Sequence, residues 1–223
     1  MRTSEPYLTI LVLLFGLLAC EATAKHRRVV AALPVTHEQL LVDARDGNRY
    51  GTVEVGAQVW FTENLRLVTP HSICYRNKPI NCTKYGRLFS SSELETACPA
   101  GWRVPTLADW HTLKANFRND SIYALLDTVY WDNPVQHTNE SGLSIRGAGY
   151  QMQKRFFVGS GQATTFWINQ TNKYDEYYHA HLYAGEGLTF EQSGYVTNEV
   201  LHAHPIEDLA NRRFSIRCMC DKT

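Results

Sequence analysis

No stretch of this chain is apolar for the roughly 20 residues that a membrane-crossing helix needs. Neither charge is in surplus, since Lys and Arg together number 22 and Asp and Glu together number 22. That balance gives no support to a nucleic-acid-binding role, and no such partner is expected. Internal repeats and low-complexity tracts are missing. So are the motifs that announce common catalytic sites: there is no G-x-S-x-G, no H-E-x-x-H, no P-loop and no Gly-rich dinucleotide loop. The chain is therefore not expected to be an enzyme or to carry a cofactor.

What is present begins at the N-terminus. An apolar run from Leu8 to Ala19, interrupted by Thr9 and Gly16, follows a polar start that bears Arg2 and Glu5. Its 12 residues fit the h-region of a secretory signal rather than a membrane span. The run closes on Leu17-Leu18-Ala19-Cys20, which resembles the bacterial lipobox, whose cysteine takes a diacylglycerol and becomes the first residue of the mature protein. Cleavage near Ala22-Thr23-Ala24 is the alternative. The expected division is a signal peptide over 1–19, a lipidated Cys20 with a tether over 20–38, and one domain over 39–223. An extra edge strand through Val29-Val30-Ala31-Ala32-Leu33 is the other reading of the tether.

With Cys20 set aside, five cysteines remain: Cys74, Cys82, Cys98, Cys218 and Cys220. In an exported chain they read first as disulfides, and an odd count leaves one thiol over. Short alternating runs punctuated by Gly turns, Tyr50 to Val55 and Gln58 to Phe61, suggest a β-meander. Helices are expected at Ser91 to Ala97, after Thr106, and at Ser121 to Thr128. The second carries a capping-box pattern, Thr106 with Asp109, and an apolar stripe of Leu107, Trp110, Leu113 and Phe117. Strands return at Thr165 to Ile168, at Tyr177 to Tyr183 in a hairpin with Leu188 to Phe190, and at Arg213 to Met219. In that last strand Phe214, Ile216 and Cys218 share one face, so Cys218 points inward, while Arg213, Ser215 and Arg217 take the other. The class is α+β, with short mixed strands and two or three helices.

One ordered string runs through the chain: Asp43-Ala44-Arg45-Asp46-Gly47-Asn48-Arg49-Tyr50, Gln58-Val59-Trp60-Phe61-Thr62-Glu63-Asn64-Leu65, Tyr85-Gly86-Arg87-Leu88, Cys98-Pro99-Ala100-Gly101-Trp102-Arg103-Val104-Pro105-Thr106, Phe166-Trp167 and Phe214-Ser215-Ile216-Arg217-Cys218. It resembles the Fibrobacter succinogenes major paralogous domain, common in exported lipoproteins of Bacteroidota and Fibrobacterota. The resemblance spans roughly residues 40 to 221 and implies a C-type lectin-like fold. It further implies a disulfide between Cys98 and Cys218, with Cys74 and Cys82 closing a small local loop. Cys220 departs from the family pattern.

Candidate ligand residues follow from the strands and loops. Tyr177, His179, His181 and Tyr183 share one strand face and could stack on sugar rings or meet a protein, a second buried layer or a solvated sheet face being the alternatives. Trp131, Asn139 and Glu140 fall in an expected loop. His179-Ala180-His181 and His202-Ala203-His204 could each offer two imidazoles to a metal, but exposed histidines in tyrosine-rich strands are the favoured reading and no metal is expected. The Glu-Pro-Asn, Gln-Pro-Asp and Trp-Asn-Asp triplets of calcium-dependent lectins do not occur, and Trp167-Ile168-Asn169-Gln170 lacks the acid. The expectation is an outer-membrane lipoprotein, anchored through its lipid, that serves as a non-catalytic binding module for a glycan or a protein. The alternative is an accessory subunit of an outer-membrane protein complex.

Overall fold

A computed structural model of the chain describes residues 36–117, 122–134, 136–171, 175, 177–183, 201–204 and 211–222. The expected signal segment, Cys20, Val29 to Leu33 and the expected strand at 188–190 lie outside the described residues. In chain order the elements are β1 (Thr36–Val42), β2 (Arg49–Val55), β3 (Gln58–Phe61), α1 (Pro79–Tyr85), β4 (Leu88–Phe89), α2 (Leu107–Ala115), β5 (Ala148–Gln153), β6 (Phe156–Ser160), β7 (Ala163–Thr171), β8 (Tyr177–Tyr183), β9 (Leu201–His204), β10 (Phe214–Ser215) and β11 (Met219–Asp221). This is an α+β architecture. One sheet runs β1-β2-β3-β11; the other runs β4-β10-β7-β5-β6, with β8 pairing β7 and β9 pairing β8.

The first sheet is set by its turns. Between β1 and β2, Gly47 sits at φ 74°, a left-handed position that favours glycine, and its N–H donates to the Asp43 carbonyl at 2.8 Å. Arg45 grips the Asp43 carboxylate and also donates to the carbonyls of Thr96 and Ala97. That grip ties the hairpin to the segment before Cys98. The expected helix at Ser91 to Ala97 is a single 3-10 turn, Ser91–Glu93. Ser90 and Glu93 close a capping box there, and the Thr96 and Ala97 carbonyls at the far end of the segment accept from Arg45.

Helix α2 forms where the Thr106 pattern places it. The Thr106 N–H donates to the Asp109 carboxylate at 2.6 Å while the Thr106 hydroxyl accepts from the Asp109 N–H, satisfying two orphan donors of the first turn. Trp110 and Leu113 are fully buried, and Leu107 and Phe117 pack on the same cluster. The expected helix at Ser121 to Thr128 is a 3-10 turn over Ile122–Ala124. Beyond it the chain extends, because Leu126 bridges Ile145 and the Asp127 N–H donates to the Ile145 carbonyl.

Strand β7 separates two core clusters. Phe166 and Ile168 face Trp60, Trp110 and Leu125 on one side; Trp167 and Ala163 face Phe61, Phe89 and Phe214 on the other. The neighbouring β8 is covered on both faces as well, with Ala180 and Leu182 in the first cluster. His179 lies against Phe214, and His181 against Tyr150.

The expected single strand from Arg213 to Met219 is two strands in two different sheets. β10 lies between β4 and β7, and β11 pairs β3. Residues Ile216 to Cys218 make the crossing, held by the Leu65 N–H on the Ile216 carbonyl and the Phe61 N–H on the Cys218 carbonyl. The alternation survives the crossing: Phe214, Ile216 and Cys218 all lie in one cluster. Arg217 points the other way yet is only 1% exposed. It donates to the carbonyls of Phe61 and Leu143 and, through two nitrogens, to the Asn64 amide oxygen. Burial pulls its pKa down to about 9, so it remains a cation at neutral pH. The crossing is stapled by the disulfide Cys98–Cys218, 120 residues apart in sequence, which contributes about 5 kcal/mol in the chain-entropy account.

Two predictions follow from this framework. Arg217→Leu leaves three buried acceptors without their donor, and urea unfolding is expected to show a loss of about 3–5 kcal/mol. The second concerns acid. The Arg45 hydrogen bond holds the Asp43 carboxyl below its ordinary value. At Asp109 burial pushes upward, but hydrogen bonds from Arg103 and Thr106 outweigh it and the pKa is lowered. Depressed carboxyls contribute stability that is complete above the unfolded value of 3.8 and is lost as pH falls through the folded one. The urea midpoint should therefore drop steeply below about pH 4, and Asp109→Asn should flatten that drop.

Candidate functional site

Two segments of this electrically neutral chain contain no acid at all. Residues 64–92 carry Arg66, Arg76, Lys78, Lys84 and Arg87 without one Asp or Glu, and residues 141–174 carry Arg146, Lys154, Arg155 and Lys173 likewise. The fold brings these segments together as the walls of a groove. One wall is the loop from Cys74 through α1; the other is strand β6 with the turn after it.

The first wall is built by local rules. Pro79 opens α1 at a position where its missing N–H costs nothing. Gly86 ends the helix at φ 80°, and a Cβ there would collide with Asn64 at 2.6 Å. The disulfide Cys74–Cys82 joins the loop to the helix, and the Asn81 amide donates to the Tyr75 carbonyl at 2.9 Å. Arg87 supports the staple from behind, donating to the Ser72 hydroxyl and carbonyl with one nitrogen 3.4 Å from the Cys82 sulfur. Arg76 and Asn77 take left-handed φ values of 52° and 55°, a strained pair at the lip of the groove.

The second wall touches the first through aromatic edges. Phe157 meets the buried Tyr75 ring edge-on at 5.2 Å. That approach needs Gly149, since a Cβ there would stand 2.5 Å from the Tyr75 ring and 2.6 Å from the Val158 carbonyl.

The groove between the walls encloses about 670 Å³. Its lining combines the Tyr75, Tyr85 and Phe157 rings with Arg76 and Lys78, and includes no Asp or Glu. The cation-aromatic character continues past Tyr85. Lys84 lies 4.6 Å over Tyr85 and 5.3 Å from Tyr130, and Arg146 lies 4.1 Å over Tyr130. Arg146 also pairs with Asp127 at 3.4 Å. Such a surface attracts anions and offers flat faces for stacking.

The residues singled out from sequence lie elsewhere. Tyr177, His179, His181 and Tyr183 do share a strand face, but that face is a second buried layer rather than an open stripe. His179 is 0% exposed and His181 is 8% exposed, because Phe214 and Tyr150 cover them. Tyr177 packs edge-on against Trp167, and Tyr183, stacked on His181, is the exposed member. Trp131 is a core side chain whose indole donates to the Ile145 carbonyl at 2.9 Å. Asn139 is used within its own loop, exchanging hydrogen bonds with Ser144, and Glu140 stands exposed beside it. None of the seven lines the groove. Cys220 carries a free, half-buried thiol whose pKa is raised by burial and by Asp221. Among the described residues no three His, Cys, Asp or Glu gather as a metal site, and no helix is long and apolar enough to cross a membrane.

The whole is a disulfide-stapled α+β domain bearing a basic, aromatic groove. The chain belongs to the Fibrobacter succinogenes major domain family, whose pattern matches residues 53–219. No curated protein and no solved structure matches the chain.

The staple sets the shape of the first wall. Replacing Cys74 and Cys82 together by Ser should lower stability by about 2–3 kcal/mol for so short a loop, measured by urea unfolding of both chains without reductant.

Proposed function

We propose that the chain is a non-catalytic binding module of the cell envelope, held at the outer membrane by a lipid on Cys20, and that the groove takes an acidic glycan. The observation that carries this reading is the lining itself: aromatic rings beside two free-standing bases, with no acid. Sugar rings stack on such faces, and uronate or sulfate groups pair with guanidinium and ammonium donors. Exposed ion pairs of this kind weaken with salt.

Binding to uronate-bearing and sulfated polysaccharides, with neutral glucans as controls, tests the reading. Acidic glycans should bind, and binding should fall as salt rises. Arg76→Glu with Lys78→Glu should weaken it at least tenfold without moving the melting temperature, since both side chains are exposed. Equal binding of neutral glucans, or an unaffected double variant, would sink it. Intact mass of the mature N-terminus checks the anchor, with a diacylglycerol on Cys20 expected.

A C-type lectin-like fold is part of the same proposal. It is supported by the return of β11 beside β3 and by the Cys98–Cys218 link from the approach to α2 into the last crossing. One observation favours an accessory-subunit role instead: edge strand β6 and its partner β5 expose Phe156, Val158 and Met152, an apolar row suited to a protein neighbour. Stable co-purification with one membrane complex would favour that role.

A further inference from the structure

Helix α1 has cations at both ends. Arg76 and Lys78 precede its first residue, and Lys84 stands in its last turn. At about 1.5 Å of rise per residue, Lys78 and Lys84 are about 9 Å apart along the helix axis. No Asp or Glu occurs anywhere in residues 64–92, so no acid of this wall interrupts the path between them.

The far end of that path is built. The C-terminal end of a helix carries partial negative charge, which by itself repels an anion. Arg146 covers it, with one guanidinium nitrogen donating to the Lys84 carbonyl at 2.8 Å. The same guanidinium lies 4.1 Å over the Tyr130 ring and pairs with Asp127 at 3.4 Å. Three partners thus orient it in advance, and its Nη2 has no partner among the described residues. Asp127 is turned into its own loop, where its carboxylate accepts from the N–H groups of Val129 and Tyr130. Its side chain is 13% exposed against 25% for Arg146, and Lys84 is exposed beside them. The outward face of the cluster is therefore cationic, with the Tyr130 ring under both bases. Tyr85 joins this cluster to the groove, since its ring lines the groove and also lies under Lys84.

We propose, resting on the reading that the groove takes an acidic glycan, that Lys84, Arg146 and Tyr130 form a second anion subsite beyond Tyr85. The ligand is then a linear polyuronate, with a carboxylate on each unit, that spans both ends of α1; a single acidic sugar fills only one subsite. The second contact forms at the high effective concentration set by the first, so a spanning chain gains far more than either contact alone supplies.

Calorimetric titration of the full chain, purified in detergent, with a galacturonate dimer and a galacturonate octamer tests this. The octamer should bind about a hundredfold more tightly than the dimer. Lys84→Gln should cost the octamer about tenfold, make its binding less steeply dependent on salt, and leave both dimer binding and the melting temperature unchanged. Arg146→Gln should cost the octamer at least as much. Equal affinity of the wild type for the two lengths, or octamer affinity unchanged in both variants while Arg76→Glu/Lys78→Glu weakens both oligomers, would overturn the second subsite and leave the groove reading standing. Failure of the wild type to bind either oligomer would overturn both.

Discussion

A single buried guanidinium joins the parts of this domain. Arg217 sits where the chain passes from one sheet to the other, and it donates to the carbonyl at the end of β3, to the carbonyl of Leu143 and to the Asn64 amide. Asn64 passes the connection on: its own nitrogen donates to the Tyr85 carbonyl at the end of α1 and to the Ser215 hydroxyl in β10. Four separated segments thus meet through one charge and one amide. Desolvating a cation is costly, and removing a member leaves the rest unsatisfied, so the network specifies this one arrangement more than it adds net stability. The groove inherits its wall from this network, since Tyr85 and the tight Gly86 contact both rest on Asn64.

The groove and the histidine face use opposite physics. In the groove, bases stand in water beside rings, so attraction is long-ranged and sensitive to salt. At the β8 face, His179 and His181 are enclosed by Phe214 and Tyr150, away from solvent and its screening. The neutral total of the chain hides both. Acids are displaced from two long segments and concentrated elsewhere, and four histidines are drawn onto two paired strands.

Features that depend on near neighbours were legible in the sequence. The Thr106–Asp109 cap and the stripe from Leu107 to Phe117 are set within two or three turns of chain, and they appear where the spacing puts them. The alternation of Phe214, Ile216 and Cys218 was equally legible. Period two, however, says which side chains share a face and not what covers that face. For Tyr177 to Tyr183 the sequence left a ligand stripe, a buried layer and a solvated face all open, because the layer formed by Phe214 and Tyr150 comes from distant segments. The burial of Arg217, placed only on the face opposite Phe214, was hidden for the same reason. The split of the last strand depends on which sheet each half meets. Helix α1, at seven residues and stapled by a disulfide, has no apolar period to betray it. The groove was signalled after all, by the acid-free segments, but a count of total charge conceals that signal.

The bond between Cys98 and Cys218 closes a covalent ring over more than half of the chain. Everything from α2 to β10 lies within it, including the long interval between β8 and β9. A protease that cuts once inside the ring opens it without separating the pieces. The C-terminal strand stays joined to the chain before Cys98, and releasing it requires either reduction of the disulfide or a cut outside the ring.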